Sequence, residues 1–464
     1  MRVFACVALV VAVGCGSDPV RHVADAGPPD SPRLADAGPD AAAQPVTLTI
    51  TDRGTPIVGV PVYFQNVDSS LVSATMTDTN GVASVVIAPG GFVTAINPFF
   101  PPIAFGSPPP ILETFAGVKP GDHLVLRQDS SVGITITVIA PADVNPSAVG
   151  YKLYASCADS AFGDTIPPPA NGSASTTTGT VTLYDCQGTA DLLLVTTDTD
   201  GLAVRYIYKP ATAVTDGMTL DLTAATYVSA LPRDYTWNNV ADSTDNIGVR
   251  DYLASPKGLL FGFALNVSGN PATTQAPMPG FTGALDIVES FQQPSITSVR
   301  DVFEWGAYSP TYTTDFGAHL VPDFATFATF DKATHSGVWT EVNGAVQPDF
   351  VTAGLYVSRL SPSLVWRWRV VAPYAAGRFA LPVLPVPQDL YNIAGDDSVT
   401  FEQLDMAKVP GGYDAVRAGI FASNSPLDVI AGASGVISIS DQPQVVTLQA
   451  PARRKLVRPR MNRR

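Results

Sequence analysis

The stretch Val365–Val370, VWRWRV, concentrates more chemistry than any other six residues of the sequence. Read as a strand, it places Trp366, Trp368 and Val370 on one face and Val365, Arg367 and Arg369 on the other, because successive side chains alternate. With the tryptophan face exposed, the two rings make a stacking platform for sugar rings, with the arginines at hand for acidic groups. With an opposing sheet over it, both rings are core, the commoner arrangement in a sandwich, and the arginines stand in solvent. Glu289, Asp301, Glu304, Asp396, Asp397 and Glu402 could supply the acid and base of a glycosidase, which needs two carboxyl groups roughly 5–10 Å apart. As solvated surface acids, their default, they carry no chemistry.

The remaining chemistry is sparse. His22 precedes the first strand; of the other histidines, His123 falls in a strand pattern and reads as structural, while His319 and His335 sit in turn-rich surface sequence. None has a second histidine at ligand spacing. Asp198 and Asp200 beside Gly201 lack the further ligands and distal Glu of a calcium loop. No GxSxG elbow, HExxH, glycine-rich phosphate loop or CxxC is present. The expectation is a non-catalytic chain with no metal and no cofactor.

The N-terminus carries a different message. Met1 and Arg2 precede the apolar run 3–13, which as a helix rises only about 16 Å, well short of a bilayer core of roughly 30 Å. That is the layout of a secretory signal over residues 1–14. Ala12-Val13-Gly14-Cys15 resembles the bacterial lipobox, with Ala12 where Leu is commoner. The resemblance implies that Cys15 is acylated, becomes the first mature residue and holds the chain on a lipid membrane; Gly16, where Asp would mark inner-membrane retention, implies the outer membrane. An ordinary signal beside an unmodified cysteine is the alternative. After Cys15, residues 16–45 repeat ADAGP and hold six prolines, five aspartates and no aromatic residue. Such a segment buries too little apolar surface to offset its ordering entropy and reads as a tether.

Cys6 leaves with the signal. Cys157 and Cys186 then remain as two thiols in an oxidising compartment, a candidate disulfide closing a loop of about thirty residues and worth roughly 3–4 kcal/mol. Buried free thiols are the other reading. Neither cysteine has a neighbouring His, which argues against a metal site.

Composition bounds what positions these groups. With 464 residues, 46% hydrophobic, 41 prolines and 38 glycines, the chain suits several β-domains with many turns. A net charge of −14 argues against a nucleic-acid partner, which demands basic surface. Residues 451–464 are the exception, a basic tail that reads as solvated and could touch anionic lipid or polysaccharide.

Residues 46–128 read as a first β-domain. VTLTIT alternates as a half-buried strand does, VPVYF is a second strand, and Asn80-Gly81 signals a two-residue type I′ hairpin. Thr77, Asp78, Gly81 and Ala83 give this segment a pattern that resembles bacterial Ig-like and carboxypeptidase-regulatory-like modules. The resemblance implies a β-sandwich used for spacing, adhesion or support. TDTDGLA at 197–203 and GMTLDL at 217–222 echo TDTNGVA at 77–83 and GDHLVL at 121–126, so residues 129–223 read as a second sandwich.

Residues 224–450 match no recognised pattern and read as a larger antiparallel β-sandwich or open barrel, from SGVWTEV, TAGLYVSRL, SLVWRWRVVAP and FALPVLPVP. Helix is entertained only in TGALDIVESF and GGYDAVRAGIF, and VTFEQLDMA alternates without a clean apolar face. The expected fold is mainly β, with tandem Ig-like sandwiches as a stalk below the C-terminal domain. The expected function is binding of a glycan or an envelope protein, with a secreted hydrolase or a purely structural protein as alternatives.

Overall fold

Alternation dictates the first strand. In Val46–Asp52, Val46, Leu48 and Ile50 are wholly buried while the threonines between them are half-buried. The same rule, repeated along the chain, gives a mainly β protein with several sheets and no closed barrel. The computed structural model describes residues 44–52, 54–96, 109–128, 133–157, 160–168, 176–184, 188–240, 246–255, 258–342, 344–417 and 434–442. The expected signal, Cys15, residues 16–43 of the tether, Cys186 and the basic tail lie outside the described residues.

The strands fall into four sandwiches. The first has β1 (Val46–Asp52), β2 (Pro61–Gln65), β3 (Leu71–Met76), β4 (Val82–Val85), β5 (Gly91–Ile96), β6 (Ile111–Val118) and β7 (His123–Gln128). Its sheets run β4-β1-β7 and β3-β2-β5-β6, with β7 parallel to β1. The second has β8 (Gly133–Ala140), β9 (Gly150–Cys157), β10 (Ser160–Ile166), β11 (Thr177–Tyr184), β12 (Gly188–Thr197), β13 (Ala203–Val214) and β14 (Thr219–Asp221). Its order is the same, β11-β8-β14 over β10-β9-β12-β13.

The third repeats it again. Here β15 (Leu231–Asn238), β16 (Asn246–Ser255), β17 (Gly258–Ser268), β18 (Ala272–Met278), β19 (Leu285–Ser295), β20 (Ser298–Ala307) and β21 (Thr311–Asp315) form β18-β15-β21 over β17-β16-β19-β20. A one-turn helix follows, α1 (Phe316–His319), capped by the Asp315 carboxylate on the Ala318 N–H at 3.1 Å. The fourth sandwich has β22 (Thr329–Asp331), β23 (Ser336–Val338), β24 (Phe350–Leu360), β25 (Ser363–Pro373), β26 (Arg378–Ala380), β27 (Ser398–Lys408), α2 (Gly412–Arg417) and β28 (Gly435–Asp441). Its sheets are β26-β23-β22 and β25-β24-β27-β28. Here β22, antiparallel to β23, stands where the other three carry a parallel last strand. A division into three and four strands is that of the smaller Ig-like sandwiches, but the order differs, since the first strand pairs with the fourth and seventh.

The four-stranded sheets do not stay separate. β6 pairs in parallel with β25, and β20 antiparallel with β28, so one twelve-stranded sheet runs β17-β16-β19-β20-β28-β27-β24-β25-β6-β5-β2-β3. Pairing these edges satisfies backbone groups that a free edge leaves open. The sheet joins strands of residues 46–128 to strands of 224–450, and the latter hold two sandwiches. Register decides the layering. Opposite Leu112, Trp368 belongs to the core of the fourth sandwich; opposite Phe115, Val371 belongs to that of the first. The two sandwiches therefore cover opposite faces of one sheet.

Two local expectations change and two are met or resolved. TGALDIVESF is not helical but runs into β19, flanked by β16 and β20 and buried on both faces, which erases the alternation a half-buried strand shows. GGYDAVRAGIF does form α2, with residues 418–421 outside the described residues, and VTFEQLDMA is β27, an interior strand of the long sheet. Asn80-Gly81 does not make a type I′ turn. Only Gly81 has positive φ, at 73°, in a three-residue loop held by the Asp78 carboxylate, which accepts the Asn80 and Val82 N–H at 2.8 and 2.9 Å. The flanking strands β3 and β4 lie in different sheets, so the loop carries the chain across the sandwich. Asp198 holds the same loop at 3.0 and 2.9 Å, but there it joins the paired strands β12 and β13.

Candidate functional site

The Trp platform does not exist. Trp366 and Trp368 are 0% exposed, covered by β23, β26 and the chain after it through Trp339, Phe379 and Leu381. Trp368 donates its indole N–H to Thr114 Oγ1 at 2.9 Å, and the Arg359 guanidinium lies 5.2 Å from the Trp366 ring centroid. Two rings of this size bury more apolar area than any smaller pair could, which is why the strand turns them inward. Arg367 and Arg369 take the other face and are paired, Arg367 with Glu402 at 2.9 Å and Arg369 with Glu113 at 3.1 Å.

The six carboxylates do not converge on a cleft. Glu289 meets Arg250 and Tyr252, Glu304 accepts from Tyr312 and Thr314, and Asp397 takes two 2.7 Å bonds from Arg359. Burial pushes Glu289 up; it works the same way on Asp397, but the Arg359 and Ala394 N–H bonds hold that carboxyl below the ordinary range. Asp396 is exposed, and Asp301 lies opposite Phe291 on β20. Two histidines are less superficial than expected. His319 Nε2 lies 3.3 Å from Glu304, and His335, at φ 49°, buries a partnerless Nδ1, its pKa lowered by burial. His123 is exposed at the start of β7.

Two charged centres carried no signal in the sequence. Inside the third sandwich, Arg233, 1% exposed, reaches both Asp251 at 2.7 Å and Asp286 at 2.6 Å, and Tyr235 donates to Asp251 at 2.6 Å. Burial and the neighbouring Asp286 hold Asp251 well above the usual carboxylate range. On the long sheet, Asp405 sits beside Asp441 in register, and burial, then Asp441, raises it likewise. Asp251 and Asp405 are buried, while Asp441 is half-buried.

What remains open is a cleft in the fourth sandwich of about 420 Å³, between the segment that leads into β22 and strand β27. That size falls within the range of small-ligand sites. Phe327, Phe330 and Phe401 line it half-buried, with the amides of Gln403 and Gln442 among them. Gln442 ties the walls together, accepting the Ala328 N–H at 2.8 Å and donating to the Thr326 carbonyl at 3.0 Å. Lys332 is spent on the Gly395 and Asp397 carbonyls. Asp397 also lies on the cleft wall, but that carboxylate is held by Arg359, so the lining combines aromatic faces, amides and hydroxyls around a neutralised acid. No group of His, Cys, Asp and Glu fit for a metal occurs among the described residues.

No family model matches the chain, and no curated protein does. Among solved structures it is similar to the Bacillus anthracis TIE protein, at 7% identity and TM-score 0.15, over 59% of this chain and half of that one. It is similar to the shaft pilin SpaA from Lactobacillus rhamnosus GG at 11% and 0.15, over 38% and 96%. The tip fimbrial protein Mfa3 from Porphyromonas gingivalis follows at 10% and 0.15, over 37% and 81%. At such scores these likenesses carry no argument. The fold itself defines the class, a tandem β-sandwich protein.

Proposed function

We propose that the chain is a non-catalytic, exported lipoprotein whose four sandwiches form a binding head. Cys15 carries the lipid, residues 16–45 are the tether, and the Cys157–Cys186 pair closes a disulfide in the second sandwich. The observation that carries the binding role is the cleft beside β27, whose half-buried phenyl rings and fixed amides suit the faces and hydroxyls of a glycan better than they suit bond cleavage. The same sites speak against the hydrolase alternative, because each candidate carboxylate with a resolved partner is neutralised by an arginine or held by hydroxyl groups. A stalk of sandwiches is replaced by the tether, since the first and fourth lie side by side. As a coil, thirty such residues span about 30 Å, enough to lift the head off a bilayer surface.

Anchoring is tested by detergent phase partition of the exported protein. Wild type enters the detergent phase and Cys15→Ser stays in the aqueous phase; a wild type already in the aqueous phase refutes the anchor without touching the binding role.

A further inference from the structure

We infer that the cleft beside β27 takes uncharged sugars and turns away those that carry a carboxylate, an inference that rests on the glycan-binding role proposed above. Among the described residues that line the cleft, Lys332 is the one cation, and its ammonium is committed to the Gly395 and Asp397 carbonyls at 2.9 and 2.5 Å. Arg359, behind Asp397, spends its guanidinium on that carboxylate in two 2.7 Å bonds and on the Leu390 and Asn392 carbonyls at 2.8 Å each. Arg367 pairs with Glu402, which stands between the lining residues Phe401 and Gln403.

Acids outnumber these cations. Asp331 and Asp396 adjoin lining residues in sequence, so Asp331, Asp396, Asp397 and Glu402 stand against Lys332, Arg359 and Arg367. The whole chain carries −14, and that wider field also opposes an acidic polysaccharide. Lys332 keeps one N–H, enough for a hydroxyl, but its charge is already set against Asp397. A carboxylate entering the cleft therefore loses its water without gaining a free cation. What the lining offers is neutral. Gln403 gives an amide N–H to Asp405 at 2.5 Å and keeps its carbonyl oxygen, while Thr329, Ser398 and Thr400 bring hydroxyls at exposed positions. These groups pair with sugar hydroxyls, and the phenyl faces take the apolar side of the ring.

The test is an array of neutral hexose and hexosamine oligosaccharides, each beside the same oligosaccharide with its C6 hydroxymethyl groups oxidised to carboxylates, read with the full exported chain. The expected result is neutral binding that is equal at about 50 and about 500 mM salt, and a loss of about tenfold or more in the oxidised partner. Thr400→Lys sets a free cation at an exposed position on the cleft wall and narrows that gap by about threefold or more. Val144→Lys, 84% exposed in the second sandwich, changes the net charge equally and leaves the gap as it was. Oxidised partners bound as well as neutral ones, binding that salt weakens, or a gap that Thr400→Lys does not narrow each overturns this inference and leaves the glycan reading standing. Binding of neither class overturns the glycan reading, and this inference with it.

Discussion

Trp368 and Thr114 are 254 residues apart in sequence and 2.9 Å apart in the structure, the indole N–H donating to the hydroxyl across the seam between β25 and β6. Thr114 in turn shares a 2.9 Å bond with Thr94, so a buried polar thread stitches the first sandwich to the fourth. The seam is reinforced by Tyr413, whose hydroxyl donates to the Ala116 carbonyl at 2.6 Å, and by Arg417 on Asp122 at 2.9 Å.

Thr114→Val keeps the volume and removes the acceptor. Leaving the buried indole N–H unpaired costs about 1–3 kcal/mol, read as a lowered urea midpoint. Because the seam is continuous, tryptophan fluorescence, to which Trp339, Trp366 and Trp368 of the fourth sandwich contribute, and circular dichroism of the whole chain shift together. A variant that moves one signal and not the other would show the two sandwiches to unfold independently.

The two look-alike loops separate cleanly on substitution. A Cβ at Gly81 would sit 2.4 Å from the Ile50 carbonyl oxygen, whereas Gly201 faces open space, and both have positive φ. Gly201→Ala therefore costs only the left-handed penalty, about 1–2 kcal/mol. Gly81→Ala costs more, since backbone must also move. Equal thermal shifts for the two variants would contradict the placement of the first loop against β1.

Arg233→Met strands two buried carboxylates. The expected loss is about 3–5 kcal/mol in denaturant unfolding. Replacing Asp251 and Asp286 with leucine in the same background recovers most of it, because the cost lies in the unpaired charges. If the single variant is nearly neutral, the centre is hydrated and not the buried one described.

Asp405 sets a pH signature. Its folded pKa is raised by burial and by Asp441, so between the ordinary carboxylate range and that raised value the native chain holds a proton that the unfolded chain has lost. The stability this site contributes is present on the acid side and falls as pH rises through that window. Asp405→Asn removes the slope while Thr352 and Gln403 keep an acceptor, at 3.0 and 2.5 Å from the present carboxylate. The variant melts higher than wild type at about pH 7.5 and the two converge near about pH 4. The opposite ordering contradicts a carboxyl at Asp405 raised by burial and by Asp441.

How much of this was legible depends on what lay near in sequence. Val46, Leu48 and Ile50 alternate with threonines, and Trp366 and Trp368 with arginines, so both strands and their faces can be read directly. β19 cannot, since Asp286, Val288 and Ser290 are buried on one face while Ile287 and Glu289 are buried on the other. The repeat was half legible. GDHLVL and GMTLDL stand at equivalent last strands 96 residues apart, but the TDTNG and TDTDG loops, 120 apart, join strands three and four in one sandwich and five and six in the other. Their likeness comes from the turn chemistry of Asp and Gly, not from position in the fold. Phe327, Phe330 and Phe401 carry no local mark of a cleft, because only the approach of β22 to β27 brings them together.

The binding role stands or falls on that cleft. The direct measurement is a glycan-array profile of the full exported chain beside Phe401→Ala with Gln403→Ala, both folded by circular dichroism. The expected result is a defined set of glycans bound by wild type and weakened by about tenfold or more in the variant, since each lost stacking or hydrogen-bonding group is worth about 1 kcal/mol or more. Binding that survives the double substitution undiminished, or a wild type that binds no glycan at all, contradicts it.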